Sequence, residues 1–376
     1  MLQFRIKRDD LQKGLNQAGT VAEKRTSIMI LNNIHIAAAD GEMTLTATDL
    51  ETTFKGRFPA EVIEPGTLTV PFKTFRDLIR SCSGDVVLLK ESDNYSVELD
   101  CGSFNTSLFG LSPENYPKTP EIEDVNFIEL ESRDIIDAIN KTLFSVSAGE
   151  DTYNLAGIYL IKEEEDDETR FRLVSTDAQR LNVSTIPIRS QEPFELESGI
   201  IVPRKGMQEL RNLAETVDRI SLGLSSVSGL AAKTDTAFLV VRLLEGSFPD
   251  YKTILPTSND KLVYVQRKEM LDALKRIVIM TDAGYRVAIF TFTEDLLTIG
   301  STNPNLGKAE EKLRVEYQGP DITSVGFNPL HFVEALSNMR SDRITIQLKE
   351  GKVPYLFTGP EDPGYFGIIM SMTVNQ

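Results

Sequence analysis

The hydrophobic and polar positions of this chain repeat in the same order three times, with a period of about 125 residues. Alternation with a period of two predicts a strand, and apolar positions three or four residues apart predict a helix. Each copy opens with a short alternating segment that leads into a helical pattern: 4–6 before 9–22, 127–130 before 133–147, and 262–265 before 268–280. Because the period exceeds that of solenoid repeats, we expect whole domains to be repeated.

Each copy continues with two alternating segments separated by a polar turn: 31–37 and 43–50, 155–161 and 171–177, and 287–292 and 296–303. The second segment ends in related triplets, Ala47-Thr48-Asp49, Ser175-Thr176-Asp177 and Ser301-Thr302-Asn303. A second helical pattern then begins at or beside a proline, over 72–82, 204–215 and 329–339, and further strands follow. Each copy is therefore itself duplicated, as strand, helix and several strands, which predicts an α+β fold.

Two proline-rich stretches, Ser112–Pro120 and Phe248–Pro256, interrupt these patterns. Proline at this density is typical of extended connectors between domains. The predicted domains are 1–123, 124–256 and 257–376, a division that suits a chain of 376 residues.

Several predicted helices combine an apolar face with a basic one. In 72–82, Phe72, Phe75 and Ile79 share one face, whereas Lys73, Arg76 and Arg80 lie on another. The whole chain carries 56 acidic and 40 basic residues, a net charge of -16, which argues against indiscriminate binding to nucleic acid or anionic membrane. Positive helices in a negative protein suit contact with a phosphate backbone without base recognition. The alternative is an ordinary solvated helix face.

The residue types that support catalysis are scarce. The chain has two histidines and two cysteines and lacks CxxC, HExxH, GxGxxG, GxxxxGK[ST] and GxSxG, which argues against zinc, haem, phosphate-loop and nucleophile-elbow sites. We therefore expect no catalytic residue, metal or cofactor. Cys82 and Cys101 are predicted to be buried structural thiols. The acidic run Glu163–Glu168 is interpreted as a solvated hairpin loop, with a divalent-cation site as the alternative.

The location of the protein is predicted from two absences. No apolar run approaches the ~18 to 20 residues of a membrane span, and the first residues lack the apolar stretch of a signal peptide. We therefore expect a cytoplasmic protein.

Five motifs resemble the bacterial sliding clamps, the β subunits of DNA polymerase III, and occur in that family's order along the whole chain: 45–51 (LTATDLE), 174–181 (VSTDAQRL), 201–206 (IVPRKG), 245–251 (EGSFPDY) and 368–372 (IIMSM). The resemblance implies a non-enzymatic processivity factor for DNA replication. It also implies a head-to-tail homodimer that closes into a ring of six similar domains, with helices lining the hole and sheets forming the rim.

The resemblance further implies three sets of functional residues. A peptide-binding pocket would receive short linear motifs from the replicative polymerase, the clamp loader and repair proteins, and would comprise Leu155, Thr176, Ala178, Gln179, Arg180, Leu181, Pro249, Thr253, Ile254, Pro354, Ile368, Ile369, Met370, Ser371 and Met372. Contacts to the phosphates of duplex DNA, without sequence specificity, would come from Lys24, Arg25, Arg76, Arg80, Arg204, Lys205 and Lys275. The dimer contact would include Leu108, Ile279 and Met280.

The chain departs from the family pattern within the implied pocket. Ala178-Gln179 stands where the family often has Gly-His, and Thr253 stands where a basic residue is common. Ser371 and Thr373 replace a frequent proline and arginine. We therefore expect a less basic pocket with a different motif preference.

Three alternatives remain open from the sequence. Leu181 and Ile369 could be ordinary core residues, because apolar strand residues are usually buried. An enzyme with a metal in its acidic loop and a scaffold that forms no ring are the rival functions.

Overall fold

The computed structural model describes residues 1–22, 26–120, 125–165, 168–190, 194, 196, 198–225, 229–255, 261–282, 284–293, 295–318, 322–348 and 354–372. Within these ranges the helices are α1 (Arg8–Ala22), α2 (Phe72–Ser81), α3 (Ser132–Leu143), α4 (Arg204–Ala214), α5 (Arg267–Ile279) and α6 (Pro329–Asn338). Each lies where the helical periodicity predicts it.

The strands of the first third of the chain are β1 (Gln3–Lys7), β2 (Asn33–Ala39), β3 (Glu42–Thr48), β4 (Thr52–Pro59), β5 (Glu61–Glu64), β6 (Gly66–Pro71), β7 (Val86–Glu91), β8 (Ser96–Cys101) and β9 (Phe104–Phe109). The middle third contributes β10 (Phe127–Glu131), β11 (Gly157–Glu165), β12 (Glu168–Thr176), β13 (Arg180–Pro187), β14 (Ile200–Pro203), β15 (Arg219–Ser225), β16 (Gly229–Lys233) and β17 (Ala237–Val241). The last third contributes β18 (Lys261–Gln266), β19 (Ala288–Phe292), β20 (Leu296–Asn303), β21 (Gly307–Arg314), β22 (Glu316–Gln318), β23 (Ile322–Phe327), β24 (Arg343–Leu348), β25 (Tyr355–Thr358) and β26 (Phe366–Ile369).

The amphipathic pattern of the helices has the predicted consequence for burial. In α2, Phe72, Phe75 and Ile79 are buried and Arg80 is exposed in the last turn, where it also complements the helix dipole. α6 begins at Pro329, whose missing N–H costs nothing in the first turn, and the side chain of Asn328 accepts the N–H of Leu330.

The chain divides into two compact units. The first comprises residues 1–133, 189–196 and 205–243. It contains a five-stranded sheet in the order β5-β1-β7-β8-β9 and an eight-stranded sheet in the order β10-β15-β16-β17-β4-β3-β2-β6. In the second sheet β17 pairs with β4, so strands of the first two predicted domains form one continuous sheet.

The second unit comprises residues 134–188, 197–204 and 244–376. Its nine-stranded sheet has the order β14-β11-β12-β13-β26-β25-β24-β18-β22, and its four-stranded sheet has the order β21-β20-β19-β23. An aromatic cluster fills part of the core: the ring of Phe327 meets Phe290, Phe332 and Tyr355 edge to face at 4.9 to 5.4 Å. The exact boundaries of the three predicted domains remain a prediction.

The structure changes two local predictions. Single turns of 3-10 helix, Met29–Asn32 and Glu150–Leu155, precede β2 and β11, so Leu31 and Leu155 are buried in turns instead of strands. The solvated-loop interpretation is wrong for Glu163, because this residue lies within β11 and its carboxylate binds Arg172 at 2.8 Å and Lys252 at 3.1 Å. Asp166 and Asp167 lie outside the described residues.

Two further predictions concern cysteines and membranes. Cys82 and Cys101 are buried free thiols, as expected, and burial together with a hydrogen bond to Cys101 raises the pKa of Cys82 to about 11. In the described part of the chain, no helix is long and apolar enough to cross a membrane.

Candidate functional site

The turn between β12 and β13 is built by its own side chains. The Oδ1 atom of Asp177 accepts the N–H groups of Gln179 and Arg180 at 3.0 and 3.1 Å. Thr176 donates its hydroxyl to the carbonyl of Arg180 at 2.6 Å. Ala178 has a φ of 69°, in the left-handed region that favours glycine. This backbone requirement explains why a glycine suits the position and why alanine is a strained replacement there.

The side chain of Arg180 is buried and forms hydrogen bonds with three other residues of the protein. Its Nε donates to Asp177 at 2.9 Å, one terminal nitrogen binds the carboxylate of Glu334 on α6, and the other donates to the carbonyl of Phe144 at 2.9 Å. The guanidinium also lies 5.3 Å from the centre of the Phe144 ring. Arg180 therefore anchors the turn to α6 and to the segment after α3.

The last strand of the chain adds directly to this turn. β26 pairs with β13, Arg180 opposite Ile369 and Leu181 opposite Ile368. Beyond the strand, the N–H of Met370 donates to the carbonyl of Gln179 at 2.9 Å, and that of Met372 donates to the carbonyl of Gly326 at 2.8 Å. The last strand ends at Ile369. Met370 then bonds to the turn after β12 and Met372 to β23, and the two methionines are each 37% exposed.

The connector before residue 256 completes the site. Tyr251 is buried in a cluster that contains Leu181 and Ile368. The neighbouring Pro249, Thr253 and Ile254 remain exposed. Asn154, next to Leu155, donates to the carbonyl of Ser247 at 3.1 Å and so joins the turn before β11 to the same connector. Three segments that are distant in sequence thus meet at one surface.

The fifteen predicted pocket residues divide by exposure. Those on the surface are Ala178, Gln179, Pro249, Thr253, Ile254, Met370 and Met372; Pro354 and Ser371 are half-buried; Leu155, Thr176, Arg180, Leu181, Ile368 and Ile369 are buried. Leu181 and Ile369 are therefore core residues, as the alternative interpretation held, and they lie beneath the surface residues. The sequence analysis missed Glu334, Phe144 and Tyr251, since no local pattern links them to Arg180 or Leu181.

A buried polar network supports the turn that leads into β26. Lys141 on α3 binds Asp362 and Asp137, each at 2.7 Å, and Asp362 also accepts the hydroxyl of Ser341 at 2.6 Å. Burial alone would raise the pKa of Asp362, but the hydrogen bonds from Lys141, Ser341 and backbone N–H groups outweigh burial and lower it. Tyr365, just before β26, donates its hydroxyl to Asn182 on β13 at 2.8 Å.

The predicted DNA-contacting residues differ in their availability. Among the described residues, Arg80, Arg204 and Lys275 are exposed and have no carboxylate within ion-pair distance. Arg76 binds Asp77, and Lys205 donates to Asp49 at 2.6 Å and to the carbonyl of Val21 at 3.4 Å. Lys24 and Arg25 lie outside the described residues.

The predicted dimer residues lie on an edge strand of one sheet and at the end of one helix. Ile279 ends α5 and is 73% exposed, and the adjacent Met280 is half-buried. Leu108 is itself buried on β9, an edge strand of the five-stranded sheet, beside Phe109, which is 80% exposed. An edge strand with an exposed aromatic residue is a surface suited to pairing.

The comparisons with known proteins agree along the whole chain. Three family models match in order: the DNA polymerase III beta subunit N-terminal domain over residues 2–120, the central domain over 129–250 and the C-terminal domain over 252–373. The beta sliding clamp of Rickettsia felis is 27% identical over 387 residues, covering all of both chains. The beta sliding clamp of Pseudomonas putida is 29% identical over 377 residues, covering 99% of this chain and all of its own.

The solved structures give the same result. A sliding clamp from Bartonella birtlesii bound to griselimycin superposes with a TM-score of 0.92 at 25% identity, and the sliding clamp of Caulobacter crescentus with a TM-score of 0.91 at 26% identity; both matches cover the full length of both chains. With three domain matches in sequence and a full-length structural match, this chain belongs to the DNA polymerase III beta subunit family, the bacterial sliding clamps.

Proposed function

We propose that the chain acts in the cytoplasm as a sliding clamp, a non-catalytic processivity factor for DNA polymerase. Two copies associate head to tail into a ring that encircles and slides on duplex DNA. The surface formed by Gln179, Pro249, Ile254, Met370 and Met372 tethers the polymerase, the clamp loader and repair proteins. The pairing of β26 with β13 is the observation that carries this proposal, because it sets Met370 beside the turn after β12, and Met372 follows it two residues later.

The chemistry of this surface suits short peptides. A bound peptide buries one or two apolar side chains against Ile254 and the methionines, each worth ~1.5 to 3 kcal/mol. Flexible thioethers adapt to different partners. The resulting affinity is modest, which allows partners to exchange on one ring. The Bartonella birtlesii clamp bound to griselimycin supports ligand binding within this family.

The polar part of recognition follows from the groups that remain available. Arg180 is held by Asp177 and Glu334, so it positions the turn instead of binding the peptide. Gln179 and Thr253 are exposed and uncharged and can bond to a peptide backbone. The site therefore favours motifs that do not depend on an acidic residue at this point.

The DNA contact rests on the helix residues that have no carboxylate partner. Arg80, Arg204 and Lys275 are the expected phosphate contacts, whereas the ion pair of Lys205 with Asp49 reduces its contribution. Phosphate contacts without base recognition permit sliding. The net charge of -16 opposes binding to the outside of the protein.

The test separates the ring from the peptide surface. We expect light scattering to give the mass of a dimer. We also expect a clamp loader to place this dimer on circular DNA, and the dimer to leave the DNA when the DNA is linearised. A monomeric mass, or equal retention on linear DNA, would reject the ring and favour a scaffold.

The variant Met370→Asp/Met372→Asp should keep the dimer mass and retention but lose polymerase stimulation. The control Met29→Asp, which alters another exposed methionine, should stimulate normally. Full stimulation by the double variant would place the peptide site elsewhere.

A further inference from the structure

A groove rich in cations crosses the eight-stranded sheet of the first compact unit. Lys233, Phe238, Lys55, Thr46 and His35 stand opposite one another in register across five neighbouring strands, β16, β17, β4, β3 and β2. Arg57 follows Lys55 by two residues on the same face of β4, while the intervening Gly56 is buried. A groove of about 300 Å³ lies over the Lys233, Phe238 and Lys55 end of this row. An adjoining groove of about 640 Å³ shares Lys55 and Phe238 and adds Lys118 and Tyr116.

The cations of this region lack acidic partners. Within the described ranges, Lys55, Arg57, Lys118 and Lys233 have no carboxylate within ion-pair distance. Asp235 is exposed in the turn after β16, between two residues that line the groove, and forms no ion pair with these cations. Glu129 on β10, in the same row, is bound to Arg219 at 2.5 Å. Glu42 is exposed further along β3 and forms no ion pair with them. A cluster of like charges without counter-charges is unexpected in a chain of net charge -16, because the cations repel one another.

We propose that this basic groove (Lys55, Arg57, Lys118 and Lys233) docks an extended acidic segment of a partner protein, with carboxylates at alternate residues. Side chains two residues apart on one strand face the same side about 6.6 Å apart. An extended peptide has the same spacing, so successive carboxylates of one face can meet Lys55 and Arg57. Phe238 supplies an apolar part of the groove floor, and Thr46 supplies a part that can form hydrogen bonds.

The aromatic residues of the groove favour carboxylates over nucleic-acid bases. A single strand binds basic grooves by stacking its bases on open aromatic faces. The ammonium group of Lys55 lies 5.7 Å from the centre of the Phe238 ring. Tyr116 is buried, tilts against His35 at 5.3 Å and bonds through its hydroxyl to the backbone of Asn33 and Thr46. The described part of the groove thus offers four cations, while its ring faces are limited to the half-buried His35 and Phe238, and Lys55 already lies over Phe238.

The basic groove shares no residue with the peptide surface around Met370. It lies on strands from the first and second predicted domains, whereas that surface is built from β12, β13, the connector at 248–255 and the end of β26. The groove belongs to the first compact unit and the peptide surface to the second, so substitutions can alter each site separately.

The test measures binding of defined probes to the full-length protein by fluorescence anisotropy. The probes are a short labelled peptide alternating Glu and Ser, the same peptide with Gln in place of Glu, and an oligo-dT of similar length. The variant Lys55→Gln/Lys233→Gln removes two groove cations. The control Lys7→Gln/Lys90→Gln removes two exposed lysines of the five-stranded sheet. Arg57→Gln, at an exposed position, serves as a second groove variant if the double variant melts earlier than the wild type.

We expect the Glu peptide to bind the wild type and the control equally, to bind the groove variant about tenfold more weakly, and to lose affinity as salt is raised. The Gln peptide should not bind. Equal binding of the Glu and Gln peptides, or an equal loss in the control variant, would overturn the proposal. If oligo-dT binds and the groove variants abolish that binding while the Glu peptide fails to bind, the groove recognises nucleic acid and the peptide proposal is wrong.

Discussion

Replacing Lys141 with methionine should release the strand that builds the peptide surface. Lys141 is 2% exposed and binds Asp362, which is 1% exposed and precedes β26. Lys141→Met keeps the apolar stem but leaves the Asp362 carboxylate without its cation. Breaking a buried ion pair costs roughly 3 to 5 kcal/mol. Asp362 retains the hydroxyl and N–H of Ser341 and the N–H of Arg340, so we expect the lower end, about 3 kcal/mol.

The chain contains a matched control for this measurement. Lys268 binds Asp272 at 2.7 Å with the same spacing of four residues that joins Lys141 to Asp137 at 2.7 Å. The side chains of Lys268 and Asp272 are 84% and 43% exposed, so water screens this pair and Lys268→Met should cost far less than Lys141→Met. The two helix pairs share their distance and spacing, but their residue order is reversed and Lys141 also binds Asp362, so the control measures the cost of losing an exposed ion pair on a helix.

Hydrogen exchange detected by mass spectrometry reports the result locally. In the peptide covering 366–372, a loss of about 3 kcal/mol in opening free energy accelerates exchange roughly 100-fold, whereas the Lys268→Met control should change it by about twofold at most. Adding Asp362→Asn to Lys141→Met should restore part of the protection, because it removes the unpaired charge. An acceleration below about tenfold, an equal effect in the control, or no rescue would refute the reasoning.

Three further predictions concern assembly, pH and DNA. Met280→Asp should yield monomers by light scattering, because burying a carboxylate in an apolar contact is too costly. The control Met29→Asp should remain a dimer. If Met280→Asp also remained a dimer, Met280 would not belong to the interface. Burial and the charge of Arg180 lower the pKa of His331 to about 4. As pH falls from about 6.5 towards that value, the unfolded state binds a proton that the folded state does not, so stability declines. His331→Gln should flatten the decline of the denaturation midpoint in this window, and equal slopes would exclude His331. Arg80→Gln/Lys275→Gln should weaken binding to linear duplex DNA and lower its salt slope by about two, while equal slopes would exclude these contacts.

Repetition made most of the secondary structure predictable from the sequence. The three apolar patterns place all six helices, because an amphipathic face must be buried whatever its partner is. The errors lie where tertiary contacts decide local structure. Leu31 and Leu155 continue an alternating pattern, yet both bury their side chains from 3-10 turns. Glu163 belongs to an acidic run in the sequence, but it lies within β11 and binds two cations, Arg172 and Lys252.

The candidate site was predictable only in part, and for a related reason. The resemblance supplied the segments that meet there, and the structure joins them through the pairing of β13 with β26. Which residues face solvent depends on strand register and packing. Leu181 and Ile369 point into the core, and Met370 and Met372 do not. Polar replacement of Leu181 or Ile369 would therefore disturb the fold along with the site, which makes the two methionines the better test positions.

The related triplets form similar hydrogen bonds within their turns but bind different residues outside them. Asp49, Asp177 and Asn303 each accept two N–H groups from the residues two and three positions ahead. The first two turns also share a positive φ at the next residue, Leu50 and Ala178, where the third copy has Pro304. The second side-chain atom of each binds something different: Lys205, Arg180 and Asp282. Lys205 and the Glu334 partner of Arg180 lie more than 150 residues from the turns they hold. The local sequence therefore specifies the turn, and distant residues decide which copy is coupled to α6 and to the exposed methionines and can serve as a docking site.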